Sequence, residues 1–222
     1  MADYGALITL ENGNPFITPN STPFCLYRKV TVSSSSTGGD FQGASTDIPI
    51  DASYPAIVFC KTSNMATVGA TRVGNVIKVS SSSPRGLVHT LTAYVFAIFP
   101  QTLPKWGMAV WDESGKLVLT NESRVLSDLV TIGTPGNDGG INIDQTLTGS
   151  YAIVPAILGS SLWQITVQGQ PVIINITDYA GAFYNGSTTR INAQASQTGQ
   201  GGPVGGTNTG IAITAIDTAA YD

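Results

Sequence analysis

The residues of this chain best suited to acid–base or nucleophilic chemistry are its single histidine, His89, and its two cysteines. His89 lies within a long apolar stretch, and Cys25 and Cys60 lie in shorter ones. A thiolate nucleophile needs a neighbouring base or positive charge, and the spacing of these three residues supplies neither. The sequence therefore predicts a hydrogen-bonded structural imidazole and two free, buried thiols. A disulfide and a thiolate–imidazole pair remain as alternatives.

Oxygen-bearing side chains cluster in two further places. Asp112 and Glu113 are adjacent carboxylates, but they stand in a predicted hairpin turn, where solvated acids are typical and a glycosidase pair is not. Residues 137–144 could offer oxygen ligands to calcium, yet they lack the EF-hand spacing and its glutamate, which favours a metal-free glycine-rich loop. No nucleophile elbow, phosphate-binding loop or zinc cluster is present. The sequence thus predicts no enzyme and no cofactor.

The composition is poor in charge and rich in small polar residues. Only 11% of the 222 residues are charged, the net charge is −4, and no basic cluster occurs, which argues against nucleic-acid binding. No apolar run approaches the 18 residues of a membrane span, and the first residues lack the pattern of a cleaved secretion signal. At 42% hydrophobic residues the chain can nevertheless bury a core.

The alternation of apolar residues predicts strands and no useful amphipathic helix, hence an all-β fold of the β-sandwich or jelly-roll-like class. Two halves, 1–103 and 104–222, are expected to pack intimately. Residues 40–53 are predicted to be irregular, the serine runs 33–36 and 80–83 to be solvated loop tips, and 196–209 to be a mobile loop. The predicted strands are 24–32, 54–60, 70–73, 76–79, 87–99, 124–132, 151–158, 162–168, 171–177, 182–184, 188–191 and 211–216.

One hairpin pattern occurs twice. Residues 106–120 fit an apolar strand, a polar turn and a returning strand, and residues 4–18 follow the same order 102 positions earlier, without a gap. The corresponding residues are Tyr4 and Trp106, Gly5 and Gly107, Glu11 and Glu113, Gly13 and Gly115, Thr18 and Thr120, and Ser21 and Ser123. We interpret the correspondence as an internally repeated β-hairpin, which is too little for a solenoid.

Asn185 and Gly186 form the strongest short-range turn signal of the chain. Phe183 and Tyr184 before the turn, and Arg190 after it, make this hairpin a candidate surface-contact loop, because an aromatic ring beside amides suits a sugar. The alternative is that Tyr184 packs at a strand end. The polar loops 33–40 and 196–208 are further candidates for contact with a host surface.

The second hairpin resembles a motif of small tail proteins of tailed bacteriophages. Their pattern is aromatic-Gly-Leu-x-Val-x-Asp-x-x-Gly-x-x-x-Phe-Asp-Ser, often followed by Arg and an aliphatic residue, and residues 106–126 are similar to it. The opening residues 1–5 are also similar to the starts of these proteins, so the resemblance covers about residues 1–126. The chain departs from the pattern at 119–121, where it has Leu-Thr-Asn, and at 11–12, where the Asp is missing.

The resemblance implies a structural protein of the virion, placed in the tail tip or tail fibre and made in the host bacterial cytoplasm. Its partners would be other phage tail proteins and further copies of itself, since trimers or hexamers are usual in such proteins. Attachment to a host surface glycan or protein would be a subsidiary role. A capsid decoration protein and a carbohydrate-binding module are the alternatives.

Overall fold

The computed structural model describes residues 22–136, 138–198 and 203–222 in full, together with the backbone of 8–9 and 15–17. These residues form β-strands and a single 3₁₀ turn, Gly140–Asn142. The strands are β1 (Ile8–Thr9), β2 (Pro15–Ile17), β3 (Cys25–Ser33), β4 (Ser35–Gly38), β5 (Phe41–Pro49), β6 (Ala56–Thr62), β7 (Thr67–Val73), β8 (Val76–Ser83), β9 (Thr90–Ala97), β10 (Ala109–Trp111), β11 (Leu117–Thr120), β12 (Leu129–Ile132), β13 (Asp144–Thr148), β14 (Tyr151–Ile153), β15 (Ile157–Val167), β16 (Gln170–Tyr184), β17 (Thr188–Ala195), β18 (Pro203–Asn208) and β19 (Ile213–Asp217).

The fold is all-β and sandwich-like, as the sequence predicted. A sheet of 11 strands contains the path β12-β19-β14-β6-β16-β15-β18, with β9 and β3 joined at β6 and with β17 and β13 joined at β16. A second sheet has four strands in the order β4-β5-β8-β7. The two hairpins β1–β2 and β10–β11 are separate two-stranded sheets. The large sheet contains strands of both predicted halves, 1–103 and 104–222.

The main core fills the space between the two large sheets. It is built from small and β-branched residues of β5, β7 and β8 on one side, and of β6, β9, β16 and β17 on the other. Leu91, Ala93, Val95 and Ala97 all face this core from alternate positions of β9. This alternation is what a strand with one face on a core requires, since successive side chains point to opposite faces.

A smaller core covers the opposite face of the same two central strands. Phe59 of β6 and Tyr94 and Phe96 of β9 are fully buried there, beneath Tyr221. The Phe96 ring meets those of Phe59 and Tyr221 edge-on, with centroids 5.8 and 4.9 Å apart. β6 and β9 are therefore buried on both faces, which explains why their sequences are almost continuously apolar.

The strand pairing of the repeated hairpin is confirmed by the register, while residues 4–7, 10–14 and 18 of the predicted first copy lie outside the described residues. In both copies the two strands pair antiparallel, and the register shifts once, at the corresponding position. The paired residues are Ile8–Ile17 and Thr9–Pro15 in the first copy, and Val110–Leu119 and Trp111–Leu117 in the second. Every residue of the second set lies 102 positions after its counterpart in the first, so the two sequences share one backbone pattern.

The serine run 33–36 lies mostly in strands and is not a loop tip, since Ser33 ends β3 and residues 35–36 begin β4. Three further segments that were predicted to be irregular are also strands. Residues 41–49 form β5, and the serine run 80–83 lies inside β8, which pairs with β5 and β7. Ser81 and Ser83 are 5% and 1% exposed, so they are not loop tips. Residues 203–208 of the predicted mobile loop form β18, which pairs with β15, while 199–202 lie outside the described residues. In each case a partner strand distant in sequence supplies the backbone hydrogen bonds.

Boundary errors are smaller. Only Leu129–Ile132 of the predicted strand 124–132 is a strand, and β13 was not predicted at all. The two predicted strands 171–177 and 182–184 are parts of the single long strand β16.

The edge-on contacts of Phe96 yield a stability prediction. Phe96→Ala should lower the free energy of unfolding by about 4 kcal/mol, because the cavity lies in a small core that cannot collapse around it. Phe96→Leu, which retains most of the volume, should lose about 1 kcal/mol. Urea denaturation measures both, with Leu103→Ala as the exposed control, since Leu103 is 61% exposed. Equal midpoints for all three variants would contradict the packing described here.

Candidate functional site

The hairpin β10–β11 exposes a group of large apolar side chains. Trp106 is 87% exposed, Trp111 52% and Met108 49%, and Leu103 just before them is 61% exposed. The returning strand is different, since Val118 and Leu119 are nearly fully buried. The returning strand is thus buried, while the apolar side chains at the start of the hairpin are presented to solvent. We call Leu103, Trp106, Met108 and Trp111 the hairpin patch.

The turn of this hairpin is fixed by the Asp112 carboxylate. Its Oδ1 accepts hydrogen bonds from the backbone N–H groups of Ser114 and Lys116, both at 2.9 Å, and from the Ser114 hydroxyl at 2.6 Å. The Ser114 hydroxyl is the main reason why the pKa of Asp112 lies below its ordinary value. Gly115 has a φ of 80°, which favours glycine. Asp112 therefore has a structural role in the turn.

The four residues of the predicted contact loop lie together on the β16–β17 hairpin, but on different faces. Phe183 stands opposite Arg190 in the register, and Tyr184 stands opposite Thr189 on the other face. The Asn185 side chain closes the turn, because its Oδ1 accepts hydrogen bonds from the backbone N–H groups of residues 187 and 188 at 3.0 and 2.9 Å. The structure brings the four residues into one element without forming a single aromatic-and-amide surface.

Two of these side chains have further partners within the chain. Arg190 Nε and Nη2 donate to the two carboxylate oxygens of Asp144 at 2.8 and 2.7 Å, a two-pronged ion pair on the surface. The hydrogen bond from Arg190 lowers the pKa of Asp144. The Tyr184 hydroxyl donates to the Gly186 carbonyl at 2.7 Å. Phe183, which is half-buried, remains as the apolar part of this loop.

Beside Tyr184 lies a buried lysine that the sequence did not single out. Lys61 Nζ donates to Asp222 Oδ2 at 2.8 Å, Thr218 Oγ1 at 2.9 Å and Ser150 Oγ at 2.6 Å. The same ammonium lies 5.3 Å from the centroid of the Tyr94 ring and 5.4 Å from that of Tyr184. The only sequence signal for this site was that Lys61 directly follows the apolar residues of β6.

Asp222 is the centre of this network. Its carboxylate accepts hydrogen bonds from Lys61, from the Tyr94 hydroxyl and from Lys29, whose Nζ lies 3.0 Å from Oδ1. Burial alone would raise the pKa of Asp222, but these donors outweigh it and hold the pKa below the ordinary value. Burial lowers the pKa of Lys61 and raises that of Tyr94. The network ties the last residues of the chain to β6 and β9.

His89 and the cysteines have structural environments. His89 is 2% exposed, with Nδ1 2.9 Å from the Leu87 carbonyl and Nε2 2.8 Å from the Ser81 hydroxyl. Because a carbonyl only accepts, Nδ1 donates to Leu87, and the Ser81 hydroxyl, which can donate or accept, satisfies Nε2. Cys25 and Cys60 are free and buried, as predicted, and burial raises their thiol pKa values to about 11 and about 12.

The segment considered for calcium is only partly described, because Asn137 lies outside the described residues. Its Asp144 is paired with Arg190. Within the described ranges, no three His, Cys, Asp or Glu side chains come together as a metal site would require.

Comparison of the chain with known protein families, with curated proteins and with solved structures found no match. In the part of the chain that the structure describes, no helix is long and apolar enough to cross a membrane.

The Asp222 network predicts a pH-dependent stability. Asp222→Asn should lower the free energy of unfolding by about 2 kcal/mol near pH 7, because it leaves the Lys61 ammonium buried without its counter-charge. This is less than for a fully buried pair, since the Asp222 side chain is 37% exposed. A carboxyl whose folded pKa is depressed contributes stability above its unfolded pKa and loses it as the pH falls through the folded pKa.

The difference between the wild type and Asp222→Asn should therefore shrink as the pH falls below about 4, where the carboxyl of the unfolded wild-type chain takes up a proton while the depressed pKa keeps that of the folded chain ionised. Thermal or urea denaturation from pH 2 to pH 8 measures this difference. Asp128→Asn is the matched control, since no cation is paired with Asp128 among the described residues. A gap that is independent of pH would mean that the carboxylate charge does not stabilise the fold.

Proposed function

We propose that this protein is a structural subunit of a bacteriophage tail, positioned in the tail tip or tail fibre, that binds other tail proteins through the hairpin patch. The observation that carries the proposal is the repeated hairpin, whose second copy is held outside the main sheets and exposes two tryptophans. The resemblance to phage tail proteins lies in this same hairpin, so the motif and the exposed surface coincide.

The hairpin patch has the chemistry of a protein interface. Tryptophan and methionine are enriched at the centres of such interfaces, where rigid apolar area is buried at small entropic loss. Trp106, at 87% exposure, gains little from the folded monomer and can gain much from a partner. A hairpin of two short strands is marginal on its own, but burial of Val118 and Leu119 stabilises this one.

The free thiols support folding in the cytoplasm, and the scarcity of charge supports assembly through apolar contacts. Two free cysteines are compatible with folding in the bacterial cytoplasm before assembly into the virion. With charged residues at 11%, contacts between subunits depend on shape and apolar burial more than on ion pairs.

Host attachment is a subsidiary part of the proposal. The β16–β17 turn offers Phe183 as a half-buried aromatic surface, and the neighbouring Arg190–Asp144 pair supplies charged hydrogen-bonding groups. A host surface glycan or protein would be the ligand.

Removing the two tryptophans tests the docking role. Trp106→Ala with Trp111→Ala should leave the melting temperature nearly unchanged, because the lost side chains are mostly exposed, yet reduce incorporation into particles on the order of tenfold. Quantitative immunoblotting of purified virions measures incorporation. The matched control is Val73→Ala with Val88→Ala, which removes two other exposed apolar side chains (74% and 69% exposed) that are not part of the hairpin patch. Equal losses for both double variants would contradict a specific role of the hairpin.

Immunogold labelling of intact virions locates the protein directly. Gold is expected at the tail tip or on the fibres. Gold confined to the head would reject the tail assignment and favour a capsid decoration protein.

A glycan array and an adsorption-competition assay test the host contact. We expect the purified protein to reduce adsorption, and Phe183→Ala to weaken this effect, with Val73→Ala as the control. Negative results in both assays would remove host attachment. Strong glycan binding with no label on virions would favour the carbohydrate-binding module.

A further inference from the structure

A cavity is lined by the end of β8 and by the strands β15 and β17. Its volume is about 120 Å³. One water molecule needs about 10–15 Å³ of such space, so a group of several non-hydrogen atoms fits. Four polar side chains in its wall are Ser83 of β8, Arg85 just after β8, Trp163 of β15 and Gln194 of β17. No acidic side chain lines the cavity in the part of the chain that the structure describes.

Two buried polar atoms in this wall lack a hydrogen-bond partner among the described residues. They are Ser83 Oγ and Trp163 Nε1. Buried polar groups are nearly always hydrogen-bonded, and an unpaired one costs free energy. In the described ranges no other buried side-chain nitrogen or oxygen is left unpaired in this way, and both residues line the same cavity. The cavity is therefore the place where a partner for both atoms can bind.

The strand pattern explains why the Ser83 hydroxyl is buried beside the cavity. Val79 and Ser81 precede Ser83 at alternate positions of β8, and all three are buried, so they share the inward face of this strand. The Ser81 hydroxyl lies 2.8 Å from His89 Nε2 and is thereby satisfied. Ser83 is the last residue of β8, where the cavity takes the place of such a partner.

Trp163 lines the cavity from the large sheet, whereas Ser83 belongs to the four-stranded sheet. In the register Trp163 stands opposite Ile174, on the same face of the sheet as the fully buried Ile176. An indole N–H can only donate a hydrogen bond. The missing partner of Trp163 is therefore an acceptor.

The other two polar side chains add a positive charge and an acceptor. Arg85 is exposed, and no ion pair joins its guanidinium to another described residue. Gln194 Nε2 donates to Asn192 Oδ1 at 2.6 Å, which leaves the amide oxygen Oε1 of Gln194 as an acceptor. The ligand that matches this wall has negatively charged acceptor oxygens and at least one hydroxyl group.

We propose that this cavity binds a sugar acid, a small ligand that carries a carboxylate and hydroxyl groups. The carboxylate accepts hydrogen bonds from Trp163 Nε1 and the Ser83 hydroxyl, and Arg85 supplies the opposite charge. A hydroxyl of the ligand donates to Gln194 Oε1. The site shares no residue with the hairpin patch or with the contact loop of the β16–β17 turn, and it goes beyond the proposed tail role without depending on it.

A sugar acid matches the wall better than two related ligands. A simple carboxylate such as acetate has no group that could donate to Gln194 Oε1. A phosphate group brings about two negative charges, for which the described wall offers the single guanidinium of Arg85. With one exposed arginine and a few hydrogen bonds, the dissociation constant should be on the order of millimolar.

NMR titration of the purified full chain tests the ligand class. The indole N–H signal of Trp163, assigned as the one that Trp163→Phe removes, should shift on addition of glucuronate or galacturonate. Glucose and galactose have a hydroxymethyl group in place of the carboxylate, and acetate has no ring. All three should bind at least about tenfold more weakly. No shift with either sugar acid, or equal affinity for a sugar acid and its neutral sugar or acetate, would overturn the proposal.

Three variants test the wall with the same titration. Arg85→Gln should weaken sugar-acid binding on the order of tenfold, whereas Arg28→Gln, at an exposed arginine outside the cavity, should leave it unchanged. Ser83→Ala should weaken binding by a similar factor, yet leave the melting temperature of the free protein unchanged or slightly raised, because the lost hydroxyl has no partner there.

Equal effects of the two glutamine variants on binding would overturn the proposal, and so would a large drop in melting temperature for free Ser83→Ala. All these measurements use purified protein and defined sugars. Their failure would therefore be distinct from gold in the wrong place on virions and from a negative adsorption assay with Phe183→Ala.

Discussion

The burial of β6 and β9 on both faces is the constraint on which the rest of the structure depends. One face carries the core shared with the four-stranded sheet, and the other carries the aromatic cluster of Phe59, Phe96 and Tyr221. Two strands cannot supply this burial to themselves, so the chain must cover both faces, with β5, β7 and β8 on one face and with Tyr221 and Leu126 on the other. The Lys61 network is one result, because the charged end of a buried strand needs partners from the layer that covers it.

The sequence was sufficient to predict those strands and turns whose pattern is local. The apolar runs of β6 and β9, the turn at Asn185 and Gly186 and the repeated hairpin depend on neighbouring residues, and all were predicted. It was insufficient where a polar strand depends on distant partners. Ser81 and Ser83 have no apolar pattern of their own, and they become buried because β5 and β7 pair on both sides of β8. Strand propensity measures such context more than it measures the residue.

The candidate sites divide in the same way. The sequence located the hairpin that carries the hairpin patch, since an apolar strand followed by a charged turn is visible in it, but it did not predict that the first strand would face solvent. The predicted contact loop was correctly placed in one hairpin, whereas the separation of Phe183 and Tyr184 onto opposite faces follows from the register with β17. The pairing of Lys61 with Asp222 joins residues 161 positions apart, and no spacing rule connects them.

The two packed cores and the exposed apolar side chains are physically linked. An apolar hairpin or a free strand edge on a loosely packed protein would promote non-specific aggregation, because partly unfolded states would expose still more of the same surface. In this chain the exposed tryptophans stand on a hairpin whose other strand is buried at Val118 and Leu119, so one side of the hairpin is packed. At 11% charged residues, long-range repulsion is weak and short-range complementarity determines which surfaces stay together. The scarcity of charge, which is a risk for an isolated monomer, would thus be an advantage for the assembly subunit proposed above.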